Sequence, residues 1–126
     1  MNIPENLLYT DDHEWVKLDG DYAFIGVTDF AQKELGDIVF VEVETIDEEL
    51  EKGDSFGTIE AVKTVSDMFM PIGGKVIEFN DELEADPEVI NKDPYEKGWI
   101  VKIQIADKAE LDELLDKEAY AAIIDA

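Results

Sequence analysis

Lys63 is the only lysine between Lys52 and Lys75, and it interrupts an apolar stretch. Its flanks, Phe56 to Val62 and Val65 to Met70, each read as a short strand, which puts Lys63-Thr64 at the tip of a hairpin. No Gly, Asn or Pro marks that tip as an ordinary turn. A primary amine at a tip is open from all sides, to a modifying enzyme as well as to water. A tip lysine is ordinarily just a solvated loop residue, so position by itself separates the two readings poorly.

The other residues with chemical potential are few or undiscriminating. His13 is the one histidine, and Ser55 and Ser66 are the only serines. A Ser–His–Asp arrangement would have to draw on them, and no G-x-S-x-G elbow surrounds either serine. The 33 Asp and Glu residues offer so many pairs for acid–base work that none stands out. There is no cysteine, which excludes disulfides, a thiol nucleophile and Cys-ligated zinc or iron–sulfur sites. Carboxylates alone could bind a metal, but no calcium-loop spacing occurs. Gly73-Gly74 is a turn signal, with no glycine-rich phosphate loop around it. No catalytic residue and no metal ligand is assigned.

The elements that must hold Lys63 are mostly strands. Val16 to Leu18 and Tyr22 to Val27 read as a hairpin joined by Asp19-Gly20. Thr28 or Asp29 caps a short helix through Leu35, and Gly36 stops it. Ile38 to Val43 reads as a buried strand, Glu44 to Glu51 as solvated loop, and Lys52-Gly53-Asp54 as a turn. Lys75 to Phe79 resumes extended structure, Asn80 to Asp86 is polar loop, and Asp86-Pro87 opens a short helix through Ile90. Trp99, Val101, Ile103 and Ile105 alternate as a half-buried strand. Asp107 caps a helix with Glu110 in its third position, and a last helical stretch carries Tyr120, Ile123 and Ile124. The pattern is mainly β, a sandwich or barrel with short helices that include C-terminal ones. At 126 residues without a flexible linker or repeat, residues 1–126 read as one domain.

Composition narrows the class of partner. Hydrophobic residues make up 45% of the chain, enough for a real core, while the net charge is −23 and all ten basic residues are lysine. Such a field repels nucleic acid, and no apolar run approaches a membrane span. The charge is spread over the chain and reads as a solvated surface, with a salt-adapted host as one cause. The N-terminus lacks the look of a signal or transit peptide, so a cytoplasmic location is expected.

Four separated motifs resemble the glycine cleavage system H-protein family. Gly57-Thr-Ile-Glu60-Ala-Val-Lys63-Thr-Val-Ser-Asp67-Met-Phe-Met-Pro71-Ile-Gly-Gly74 resembles its lipoyl-lysine hairpin. Tyr9-Thr-Asp-Asp-His13-Glu14-Trp15-Val16 looks like its N-terminal strand, and the Gly26 to Val39 segment like its helix-to-strand passage. Pro87 to Trp99 is similar to its late loop. They occur in family order over nearly the whole chain, which is far more specific than one pattern.

The resemblance implies a lipoyl/biotinyl-type barrel-sandwich hybrid that carries lipoate in amide linkage to Lys63. It implies a non-enzymatic shuttle. A pyridoxal-phosphate glycine decarboxylase (P-protein) would load an aminomethyl group, a tetrahydrofolate-dependent aminomethyltransferase (T-protein) would take it, and a dihydrolipoamide dehydrogenase (L-protein) would reoxidise the dithiol. A lipoate ligase or lipoyl transferase would attach the cofactor, and a monomer is expected. Glu60 and Gly74 match positions that help the modifying enzyme accept the hairpin, though Glu60 also reads as a plain exposed carboxylate and Gly74 as a positive-φ glycine. Glu14 and Asp67 match positions that hold the aminomethyl-loaded arm, where a carboxylate pairs with a protonated amine. Ordinary surface charge is the competing reading for both. His13 reads as a structural hydrogen-bonding residue, and Trp15, Tyr95 and Trp99 as core or cleft wall. Ala61, Thr64, Met70 and Gly73 depart from the usual family residues, which bears on which ligase accepts the hairpin.

Three other readings compete. Biotinyl hairpins usually place methionine on both sides of the lysine, where Val62 and Thr64 stand here. Some H-like carriers relay lipoate to other lipoate-dependent enzymes. A small acidic hydrolase would act without any modification.

Overall fold

The computed structural model describes residues 2–125, and all its strand pairs are antiparallel. In chain order the strands are β1 (Leu8–Tyr9), β2 (Glu14–Asp19), β3 (Tyr22–Val27), β4 (Ile38–Glu42), β5 (Glu49–Leu50), β6 (Ser55–Ala61), β7 (Val65–Phe69), β8 (Gly74–Phe79) and β9 (Val101–Ile105). The helices are α1 (Asp29–Leu35), α2 (Glu82–Ala85), α3 (Val89–Lys92) and α4 (Lys117–Ile123), with a 3₁₀ segment at Lys108–Glu113. One sheet has the order β1-β2-β3-β9-β8-β5, the other β4-β6-β7. No helix of the described residues is long and apolar enough to cross a membrane.

The inner faces of the two sheets share one core. Ile25, Val76, Val101 and Ile103 from the larger sheet meet Ile38, Val41, Phe56, Ile59 and Met68 from the smaller. Each such side chain contributes about 1.5–3 kcal/mol by leaving water. A second cluster packs Ile3, Leu7, Tyr9, Trp15, Tyr95 and Tyr120, and so joins both ends of the chain to the larger sheet. Mainly β architecture with short helices is thus what the strand pattern requires.

Several local expectations shift. The first hairpin closes on an Asp19–Tyr22 pair, so Gly20-Asp21 form the turn, one residue later than Asp19-Gly20. β4 is not buried throughout: a bulge between Ile38 and Phe40 leaves Val39 and Phe40 facing water, 46% and 50% exposed. The acidic loop contains β5, which pairs with β8. The stretch after Asn80 folds as α2, because Leu83 finds a buried place in the core. α3 starts at Val89, past Pro87, and no side chain caps it. Asp107 does cap the next segment, through Ala109 N, but a 3₁₀ turn forms. Its Glu110 reaches away and accepts from Gly73 N at 2.9 Å.

Candidate functional site

The β6–β7 hairpin carries Lys63 at its tip. Ala61 N donates to Thr64 O at 2.8 Å and closes the turn from within. Val62 N donates outward to Asp37 O at 3.0 Å, which ties the tip to the passage between α1 and β4. The backbone on either side of Lys63 is therefore held while its side chain is exposed. Four lysines find carboxylates, Lys33 with Asp29, Lys52 with Glu113, Lys108 with Asp21 and Lys117 with Glu5, while Lys17, Lys75, Lys92, Lys97 and Lys102 stand without one among the described residues. Among the described residues Lys63 has no such partner, so its amine is left uncommitted.

The passage beneath the tip is itself anchored. Thr28 caps α1 by accepting from Ala31 N, and Gly36 ends it at φ +81°, a conformation that favours glycine. A Cβ built on Gly36 would touch Lys63 Cε at 3.5 Å, so the lysine stem lies across this glycine. Asn91 then holds the passage with both ends of its amide. Its Nδ2 donates to Gly36 O at 2.8 Å and to Gln32 Oε1 at 3.0 Å, and its Oδ1 accepts from Ile38 N at 3.0 Å. A chain of contacts thus runs from α3 through Gly36–Ile38 to Val62, the residue before Lys63.

The predicted site residues divide between places. Glu60 pairs with Val65 across the hairpin and is exposed beside the tip. Asp67 is exposed on the same outward face, opposite Thr58. Glu14 is not surface charge: it is 3% exposed and lies against the β7 edge. Its Oε2 accepts from Phe69 N at 2.7 Å and its Oε1 from Thr10 Oγ1 at 3.3 Å. Burial pushes its carboxyl up to about 8, helped by the charges of Asp12 and Asp11 and opposed by the two donors. The fold therefore brings Glu14 to β7 two residues from Asp67, one carboxyl buried and the other in water.

Gly74 lies at the other end of β7, in the larger sheet, paired with Leu50 and Ile105. Positive φ is not its reason, since the left-handed glycines are Gly20, Gly36 and Gly53. A Cβ there would come within 2.5 Å of Gln104 O, so close packing of β8 on β9 requires glycine.

His13 is placed structurally. Its Nδ1 is 3.0 Å from Tyr120 Oη, which is also 2.7 Å from Thr28 Oγ1, and its ring packs on Phe30. Both serine hydroxyls instead bond nearby carbonyls, Ser55 to Gly57 O and Ser66 to Asp67 O, so no Ser–His pair forms. Among the described residues no three acidic or histidine side chains gather as metal ligands. Trp15 is buried and donates to Pro94 O at 2.9 Å, Tyr95 is buried, and Trp99 is half-buried. Sequence reasoning missed the Asn91 anchor, because its partners lie more than fifty residues away and no local pattern links them.

Two antiparallel sheets around one core, with an uncommitted lysine at a hairpin tip, define a lipoyl/biotinyl-type carrier domain. Comparison with known proteins gives the particular family. A family model described as glycine cleavage H-protein matches residues 7–126. The glycine cleavage system H protein of Bacteroides fragilis is 55% identical over 126 residues, covering 100% of both chains. That of Bacteroides thetaiotaomicron is 53% identical, covering 98% of each, and that of Halothermothrix orenii 54%, covering 99% of this chain and 98% of its own. The crystal structure of a glycine cleavage system H protein from Mycobacterium marinum matches with a TM-score of 0.89 at 36% identity, covering 98% of this chain and 100% of that one. The chain belongs to the glycine cleavage H-protein family. It is a non-catalytic carrier with lipoate attached covalently to a lysine, and it serves as a shuttle among the other proteins of the glycine cleavage system.

Proposed function

We propose that Lys63 is the lysine that bears lipoate, through an amide between its Nζ and the lipoyl carboxyl. The observation that carries this is the tip itself: a held backbone, an exposed amine and no ion pair. Amide formation removes the lysine charge, so the loaded carrier is one charge more negative. When attached, the lipoyl group supplies a disulfide that accepts the aminomethyl group and later gives it up.

Glu14 and Asp67 receive the amine of the loaded arm along β7. Asp67, in water, offers a charge that meets a cation first. Glu14, buried beside Phe69, loses its proton as an ammonium approaches and then pairs with it in a low-dielectric setting. Glu60, next to the tip, is read by the enzyme that attaches lipoate, a ligase or a transferase. Gly74 serves that recognition indirectly, by letting β8, the strand that follows the hairpin, pack closely on β9. The chain works as one domain, as a monomer and in the cytoplasm.

Reconstitution tests the reading. The chain is lipoylated, its mass is measured, and it is added to the glycine decarboxylase with labelled bicarbonate exchange into glycine as readout. Exchange is expected from the lipoylated chain and not from the bare one, and Lys63→Ala should neither gain the lipoyl mass nor support exchange. Lipoyl mass on Lys63→Ala refutes the attachment site. Transfer of lipoate to other enzymes without exchange would favour a relay role.

A further inference from the structure

The smaller sheet turns one row of side chains outward. Phe40 on β4 is paired with Glu60 on β6, and Glu60 with Val65 on β7. Phe40 and Val65 are 50% and 61% exposed, and Val62, beside Lys63, is 75% exposed. The bulge turns Val39 to water as well. Half of the large apolar side chains that the described residues expose therefore gather around one lysine. Scattered exposed apolar residues need no explanation, but a gathering of this kind marks a contact surface. The next row along the same face is Glu42, Thr58 and Asp67, so the patch has an acidic border.

We propose that the Phe40–Glu60–Val65 row, with Val62, is the docking surface for the enzyme that acylates Lys63. The proposal rests on Lys63 being the attachment site. The occupant follows from reach. The Nζ of a lysine lies no more than about 6 Å from its own Cα. An enzyme that bonds to the bare Nζ must close over the residues flanking the tip. Enzymes that act on the far end of an attached acyl chain need no such approach. In the acylation the bond between Nζ and the acyl carbon forms, Nζ gives up a proton, and the activating group of the lipoyl donor leaves with its electron pair. The partner surface is an apolar shelf for Phe40 and Val65, rimmed by basic groups that meet Glu60, Glu42 and Asp67. A chain of net charge −23 favours such a rim.

The test uses the full unlipoylated chain with lipoate, ATP and a lipoate–protein ligase, following lipoyl incorporation by intact mass. Phe40→Ala is expected to raise KM for the chain by about tenfold, with kcat within about twofold, as for loss of one aromatic anchor. Its melting temperature should fall by no more than a few degrees, because only half of the side chain is buried. Once fully lipoylated, the variant should support bicarbonate exchange like the parent. Val65→Thr should raise KM in the same direction by less. A KM for Phe40→Ala within twofold of the parent would overturn the proposal. So would normal lipoylation combined with weakened exchange, which would assign the row to a glycine cleavage partner. Failure of Lys63 as attachment site shows separately, as lipoyl mass on Lys63→Ala.

Discussion

The two ends of the β6–β7 hairpin are built to opposite requirements. At the tip, Val62, Lys63, Thr64 and Val65 are all exposed, and Lys63 has no ion pair among the described residues. At the base, Met70, Pro71, Ile72, Gly73 and Gly74 are all buried. Gly53 N donates to Met70 O at 2.9 Å there, and Glu110 accepts from Gly73 N. One end is left open to water, while the other is buried where the chain crosses into the larger sheet. The two glycines involved differ accordingly. Gly36 under the tip is needed for its backbone angle, and Gly74 at the base for the space beside Gln104 O.

Substitutions at each end should separate these tasks. The largest effect is expected at the base. Gly74→Ala forces β8 from β9 and should cost about 2–3 kcal/mol, seen in urea or thermal unfolding. Lipoylation of the fraction that stays folded should be changed far less than stability. A selective loss of lipoylation at unchanged stability would contradict this division. Next is the anchor beneath the tip. Asn91→Ala leaves Ile38 N and Gly36 O without their partner and should cost about 1–2 kcal/mol. Amide exchange at Val62 should speed up more than exchange in β8 and β9, and equal acceleration everywhere would deny a local role.

A third effect, visible only as pH changes, lies between the ends, at Glu14. Its carboxyl rises from 4.5 in the unfolded chain to about 8 when folded, so the folded chain keeps a proton that the unfolded chain has released. The stability linked to it is complete below 4.5 and is lost as pH rises through 8. Glu14→Gln should flatten the fall in stability that the parent shows between about pH 5 and about pH 8. Parallel profiles for the two chains would show that Glu14 titrates normally.

The legible parts were those with a local cause. The hairpin strands, the Thr28 cap, the Gly36 stop and Lys63 at its tip follow from short-range pattern and turn chemistry. Val39 and Phe40 read as buried because β-branched and aromatic residues in a run suggest a core strand, and a bulge is invisible in composition. Glu14 read equally well as surface charge, because only the packing of β2 against the edge of β7 takes it out of water. The Asn91 anchor depends on α1 and α3 lying side by side, which no pattern within either helix encodes.

The hydrogen bonds from Ala61 and Val62 also have an entropic meaning. They settle the backbone of the tip before any partner arrives. A lysine side chain still carries roughly 2 kcal/mol of rotamer freedom. Whatever surface captures that side chain must quench those rotors, but not a wandering loop as well. The Lys63 side chain therefore swings from a fixed pivot, and its freedom is torsional.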